Sequence, residues 1–289
     1  MKLIFIHGRS QHGKVASALQ AQWEAALLSG LTSAGLASPQ GVEVAFPFYG
    51  DLLDDLVRQV NAPLMTDVIT RGATPNSAEL QFQSEMLREL ADGAGLTEAE
   101  ISRHLTGHAH ERGPLNWEWV HALLQALDRT PLGAGAIDRF TRDVFVYLTY
   151  RAVRDRIDEV VSSTLTPEPS LVVAHSLGTI VGYNVLKNAG PDIRVPLFVT
   201  LGSPLGIRAI KHRLERPLAM PPCVSRWYNA LDERDVVALY PLDSLHFPIA
   251  PPIENNSSAQ NSDSDRHGID GYLSDRKVAQ TIFRALVSA

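Results

Sequence analysis

The segment that most constrains the fold is Leu171-Val172-Val173-Ala174-His175-Ser176-Leu177-Gly178. An apolar, partly β-branched run enters it, and a helix-compatible stretch from Thr179 to Asn188 leaves it. A buried strand that turns into a helix within so few residues crowds the backbone on both sides of the serine. Small side chains are required there, and Ala174 and Gly178 stand two residues either side of Ser176. The turn lifts the hydroxyl above the sheet. It also puts the N–H of Leu177 at a helix N-terminus, where negative charge is stabilised. The pattern is that of a nucleophile elbow in an Ala-x-Ser-x-Gly form. A serine that merely caps a helix after a parallel strand has the same spacing, so the reading depends on partners elsewhere in the chain.

The rest of the chain supports an α/β fold. Strands are expected at 2–6, 42–46, 170–175, 195–201 and 224–230, with a last edge strand around 245–250. Helices are expected at 15–34, where Leu19, Trp23, Leu27 and Leu31 form one stripe, and at 137–165, 177–188 and 275–287. Strands that alternate with helices predict a mainly parallel sheet covered on both faces. Residues 255–266 read as a polar, mobile loop. Residues 51–135 hold helical patterns at 52–60, 78–90, 98–104 and 117–127, with a capping box at Thr97 to Glu100. They are expected to form a helical cap or lid inserted into a core made of 1–50 and 136–289.

Composition narrows the class. A net charge of −6, without a dense basic run, argues against nucleic acid as a partner. The single cysteine, Cys223, excludes an internal disulfide and suits a packing role in a reducing compartment. The apolar start Leu3-Ile4-Phe5-Ile6 is too short for a signal peptide and ends in His7-Gly8-Arg9, so it reads as a buried strand. No stretch has the apolar length of a transmembrane segment. The expectation is a soluble, cytoplasmic protein; oligomeric state is not legible.

A serine hydroxyl needs a base to take its proton and a carboxylate to orient that base. In parallel sheets such groups lie on loops at the carboxyl ends of strands. The loop after the 224–230 strand carries Asp232-Glu233-Arg234-Asp235-Val236. Asp235 is the expected acid, because Asp-x-Val anchors a loop by packing the valine inward, and Asp232 is the alternative. His267 precedes the final helix and is the expected base; His246 comes too early. The oxyanion donors are expected to be the Leu177 N–H and the N–H of Arg9, which follows Gly8, with the Ser10 N–H as alternative. The Arg9 side chain is expected to be solvated.

Phe5-Ile6-His7-Gly8, Ala174-His175-Ser176-Leu177-Gly178, Leu201-Gly202-Ser203-Pro204, the Asp232–Val236 loop and His267-Gly268 with Tyr272-Leu273 together resemble the α/β-hydrolase superfamily. The Gly-Ser-Pro looks like its lipase and acyltransferase branches. The resemblance covers 1–50 and 137–289. It implies a Ser176–Asp235–His267 triad, hydrolysis through an acyl-enzyme, and no metal or cofactor. Ala174 departs from the commoner glycine, and the first two strands of the family sheet look absent. A carboxylic or lipid acyl ester is the expected substrate. Amide, peptide or thioester substrates on the same triad, and a non-catalytic binding module, are the alternatives.

Three features of the insertion carry less. His104, His108, His110 and His121 cluster without the Asp, Glu or Cys set that would complete a metal site. Trp117 and Trp119 suit packing of the insertion better than an acyl pocket. Pro63-Leu64-Met65 is apolar enough for a lid tip that touches a membrane, and nothing else supports that role.

Overall fold

The structure, a computed structural model, describes residues 1–60, 62–64, 77–105, 116–128, 130 and 132–288. Six strands form one sheet: β1 (Lys2–Ile6), β2 (Glu43–Ala45), β3 (Ser170–His175), β4 (Phe198–Leu201), β5 (Trp227–Ala230) and β6 (Glu254–Asn256). Their order is β2-β1-β3-β4-β5-β6, and every neighbouring pair is parallel. This is an α/β architecture with helices on both faces of the sheet.

The apolar runs of β1 and β3 follow from burial on both faces. Ile4, Ile6, Val172, Ala174, Phe198 and Trp227 point into one core, and Leu3, Phe5, Leu171, Val173, Val199 and Tyr228 into the other. The second core is closed by α1 (Ala16–Ser33), α10 (Ile269–Ser274) and α11 (Arg276–Val287). The stripe Leu19, Trp23, Leu27 and Leu31 is buried, as its spacing predicts. Each such side chain contributes about 1.5–3 kcal/mol.

The first core continues without a break into the insertion. It takes in α2 (Gly50–Gln59), α3 (Ser77–Gly93), α4 (Glu98–Ser102) and α5 (Trp117–Leu127). It also holds α6 (Ala134–Thr149), α7 (Arg151–Ser162), α8 (Leu177–Lys187) and α9 (Arg208–Lys211). Phe82, Leu90, Trp119 and Leu123 of the insertion share this core with Ile4 and Ile6 of β1. The capping box at Thr97 is present. Cys223 is half-buried, with its thiol 3.3 Å from the Leu186 carbonyl.

Three expectations change. The helix expected over 137–165 is two helices, broken where Tyr150 adopts extended backbone at φ −92° and ψ 101°. A straight helix of that length would run about 43 Å, far beyond the strands it packs on, the longest of which has six residues. The chain therefore turns at Tyr150 and buries both halves in one core. The last strand is at 254–256, not 245–250. Asp243 instead accepts from the N–H groups of Leu245 and His246 at 3.0 and 2.9 Å, which turns that segment away from the sheet. The polar β6 is held because Asn255 Oδ1 accepts from Asn229 Nδ2 at 2.9 Å and from the Leu242 N–H at 2.8 Å. The stretch 255–266 is accordingly built into the sheet edge and bridged to Asp232 through Ser258.

After β2 the chain crosses to the other side of β1 to form β3. The strand order reverses between β1 and β3, so a crevice opens at their carboxyl ends. The loops that leave those two strands begin at His7 and Ser176.

Candidate active site

Ser176 lies between β3 and α8 at φ 55° and ψ −128°. Positive φ at a residue with a side chain costs about 1–3 kcal/mol and is tolerated where the surroundings hold it. Here they do. The Ser176 N–H donates to the Leu201 carbonyl at 3.1 Å. Its carbonyl accepts from Thr179 Oγ1 at 2.7 Å, and Ser203 of the Gly-Ser-Pro segment donates to that threonine at 2.9 Å. The serine side chain makes no cap bond to α8, so the plain helix-cap reading fails. Its Oγ lies 2.8 Å from His267 Nε2.

The backbone is tight on the β1 side. A methyl group on Gly8 would stand 2.9 Å from the Ser176 Cβ, and one on Gly178 would stand 2.4 Å from the carbonyl oxygens of Ile6 and His7. The two loops touch only because both residues are glycine.

His267 Nδ1 is 2.7 Å from Asp235 Oδ2. An ionised carboxylate only accepts, so the proton sits on Nδ1 and the Nε2 lone pair faces the Ser176 hydroxyl. Asp235 is buried. Its other oxygen accepts from the Val237 N–H at 2.9 Å, and the Val237 side chain is buried in the core. Asp232, the alternative acid, faces elsewhere. Its oxygens accept from the N–H groups of Arg234 at 2.9 Å and Asn261 at 2.8 Å. Asn261 in turn donates to the Arg266 carbonyl at 2.7 Å, beside His267. Asp232 thus ties down the loop that carries the histidine.

Two residues of this constellation were not singled out by sequence reasoning. Tyr272 donates to Asp235 Oδ2 at 2.7 Å and accepts from the Asp232 N–H at 3.1 Å. His175, the variable position of the elbow, places Nε2 2.9 Å from the His267 carbonyl and its ring 4.7 Å from the His267 ring. A carbonyl only accepts, so His175 carries the proton on Nε2. Burial pushes its pKa down to about 3, so the ring is neutral. Both stand inside pieces that carry the resemblance, but neither receives a role from the sequence alone.

Leu177 opens α8, so its N–H has no carbonyl acceptor within the helix. His7 Nδ1 lies 2.6 Å from the Gly8 carbonyl, and His7 Nε2 accepts from the Tyr49 N–H at 3.1 Å. The His7 ring therefore donates through Nδ1, and burial lowers its pKa to about 4. In a trans peptide the C=O and N–H point in opposite directions. With the Gly8 carbonyl turned toward His7, the Arg9 N–H points away from that ring. The Arg9 side chain corrects the expectation of a solvated group. It is largely buried; its Nε donates to Asp143 Oδ2 at 3.0 Å, while Arg142 takes the other oxygen at 2.8 Å. The ion pair fastens the loop after β1 to α6, and burial of an arginine requires such a partner. Ser10, the alternative donor, has φ 60°.

Ser176 and His267 open on a cleft of about 350 Å³, bordered also by Arg9, Leu19, Trp23 and Leu132. Lys14, Asp265 and Asp270 add charged groups to its lining. Within 51–135, Leu132 is the described residue that borders it. Trp119 is buried in the core away from this lining. His246 pairs with Asp243 at 2.9 Å and takes no part in the site. His108, His110, Met65 and the Trp117 side chain lie outside the described residues, as therefore do parts of the histidine cluster and of the 63–65 tip. Among the described residues, no helix is long and apolar enough to cross a membrane. Comparison with family models, with curated proteins and with solved structures finds no match to this chain.

Proposed function

We propose that the chain is a serine hydrolase of α/β-hydrolase type that cleaves carboxylic or lipid acyl esters through an acyl-enzyme. The observation that carries this reading is the hydrogen-bonded run from Ser176 Oγ through His267 to Asp235, at 2.8 and 2.7 Å, with the imidazole in the tautomer a general base needs.

In this reading Ser176 Oγ attacks the ester carbonyl while His267 Nε2 takes its proton. Asp235 stabilises the imidazolium that forms. The negative charge that develops on the carbonyl oxygen meets the N–H groups of Leu177 and Arg9, each worth about 2.7–4 kcal/mol to the transition state. Collapse expels the alcohol, which receives the proton from His267. Water, deprotonated by the same imidazole, then releases the acid and restores Ser176. The strained φ of Ser176 supports the reading, since strain held by surrounding bonds is typical of functional turns. So does the position of the site where the strand order reverses. We place the enzyme in the cytoplasm, and read the 51–135 insertion as bordering the acyl site through Leu132.

A fluorophosphonate probe is expected to label Ser176, and Ser176→Ala is expected to abolish both labelling and ester turnover. A folded wild type that neither labels nor turns over p-nitrophenyl esters would overturn the proposal. Ligand binding that survives Ser176→Ala and His267→Ala without turnover would point to a binding module instead.

A further inference from the structure

We propose that Tyr272 is a positioning residue that sets the strength with which Asp235 holds His267. The inference rests on the hydrolase reading above and adds a fourth group to its relay. Asp235 Oδ2 receives two donors at the same distance, His267 Nδ1–H and Tyr272 O–H, both at 2.7 Å. Oδ1 is taken by the Val237 N–H. The carboxylate is buried, so no solvent competes for it. Every increment of charge that the phenol draws from Oδ2 is withdrawn from the bond to the imidazole.

The tyrosine is itself locked. Its ring is fully buried, and its oxygen accepts the Asp232 N–H, so the hydroxyl proton has one direction to point. Tyr272 lies on α10, five residues after His267, and Asp232 and Asp235 lie on the loop after β5. One hydroxyl thus ties α10, the helix that directly follows the base, to the loop that carries the acid.

The charged and titratable groups that face this arrangement come from three directions. His175 approaches from the elbow, Asp232, Arg234 and Asp235 from the loop after β5, with Arg234 3.4 Å from Asp232, and Asp265 and Arg266 from the segment before His267, with Arg266 3.8 Å from Asp232. Tyr272→Phe removes one hydroxyl and leaves all of them in place. Without the phenol, Asp235 concentrates its charge on the imidazole and stabilises the imidazolium more strongly.

The test compares wild type, Tyr272→Phe and a protein carrying 3-fluorotyrosine at position 272, a stronger donor. Two readouts are taken: the pH profile of kcat/KM on p-nitrophenyl butyrate, and the low-field proton resonance of His267 Nδ1–H. In Tyr272→Phe the acid limb is expected to move to higher pH and the resonance downfield. Fluorotyrosine is expected to move limb and resonance the opposite way. A tyrosine that only packs would lower stability and leave both unmoved, and that result overturns the proposal. Should the phenylalanine variant fail to fold, the fluorotyrosine arm decides alone. A resonance that responds to Tyr272 in a protein that does not hydrolyse esters would overturn the hydrolase reading and keep the hydrogen-bond assignment.

Discussion

Gly178 lies directly against His7: a methyl group on its α-carbon would stand 2.4 Å from the His7 carbonyl oxygen. That contact joins the first turn of α8 to the loop leaving β1, the two segments that carry the proposed oxyanion donors. Gly178→Ala must push backbone against backbone, which no rotamer change relieves. We expect a loss of about 1–3 kcal/mol, the usual cost of overpacking, with loss of fluorophosphonate labelling in the protein that still folds. Urea unfolding and labelling measure the two effects. Wild-type values in both would show that the two loops are free to separate.

The two aspartates of the β5 loop separate by kind of effect. Asp235→Asn keeps the shape but loses the acceptor that selects the His267 tautomer, and kcat is expected to fall about 10³–10⁴-fold with the fold intact. Asp232→Asn weakens the bonds that hold Asn261 and the 261–266 loop. It is expected to cost about 1.5–3 kcal/mol of stability and to leave kcat within about tenfold. Ester kinetics beside thermal denaturation read this out, and the reverse pattern would transfer the acid role to Asp232.

His7 and His175 predict a sensitivity to acid. Burial lowers their folded pKa values to about 4 and about 3, against 6.5 unfolded. The unfolded chain therefore binds more protons below pH 6.5, and stability falls with pH from there toward 4 and below. Urea titrations at pH 7, 5.5 and 4.5 should show this. His175→Gln, which cannot titrate, should lower stability at pH 7 and flatten the fall. An unchanged slope in the variant would remove His175 as a cause.

Asp158 has the opposite sign. Burial raises its pKa from 3.8 to about 6, and the bond from the Tyr147 hydroxyl at 2.6 Å and the charge of Arg154 offset only part of this. For a raised carboxyl, stability is lost as pH climbs from about 4 to 6. Asp158→Asn keeps an acceptor for Tyr147 and avoids the buried charge. It should stabilise the protein at pH 7 by about 1–3 kcal/mol and give no benefit at pH 3.5, as measured by denaturant midpoints. A variant less stable than wild type at both values would show that the charge itself is needed.

Much of the fold was legible because burial writes itself into composition. β1, β3 and the α1 stripe are apolar runs or stripes with no other use. The break at Tyr150 was missed because each half is helical by itself, with Val144 and Leu148 on one side and Ile157 and Val161 on the other; the nine-residue step from Leu148 to Ile157, half a turn out of phase, was the trace it left. The strand at Glu254-Asn255-Asn256 was hidden because an edge strand held by side-chain amides needs no apolar pattern. The buried Arg9–Asp143 pair joins residues 134 positions apart and leaves no local trace.

The sequence by itself determined the elbow at Ser176, since crowding at a strand-to-helix turn dictates which residues can flank it. It determined also that an acid follows β5 and a histidine precedes the last helices, because chain order maps onto strand order in a parallel sheet. Only the tertiary structure decided that Asp235 faces His267 while Asp232 holds the 261–266 loop, and that Tyr272 and His175 brace the pair. The reason is geometric. A hydrogen bond needs its atoms within about 3 Å and correctly aimed. For two aspartates three residues apart in one loop, that aim is set by how the loop packs against α10, which no local pattern records.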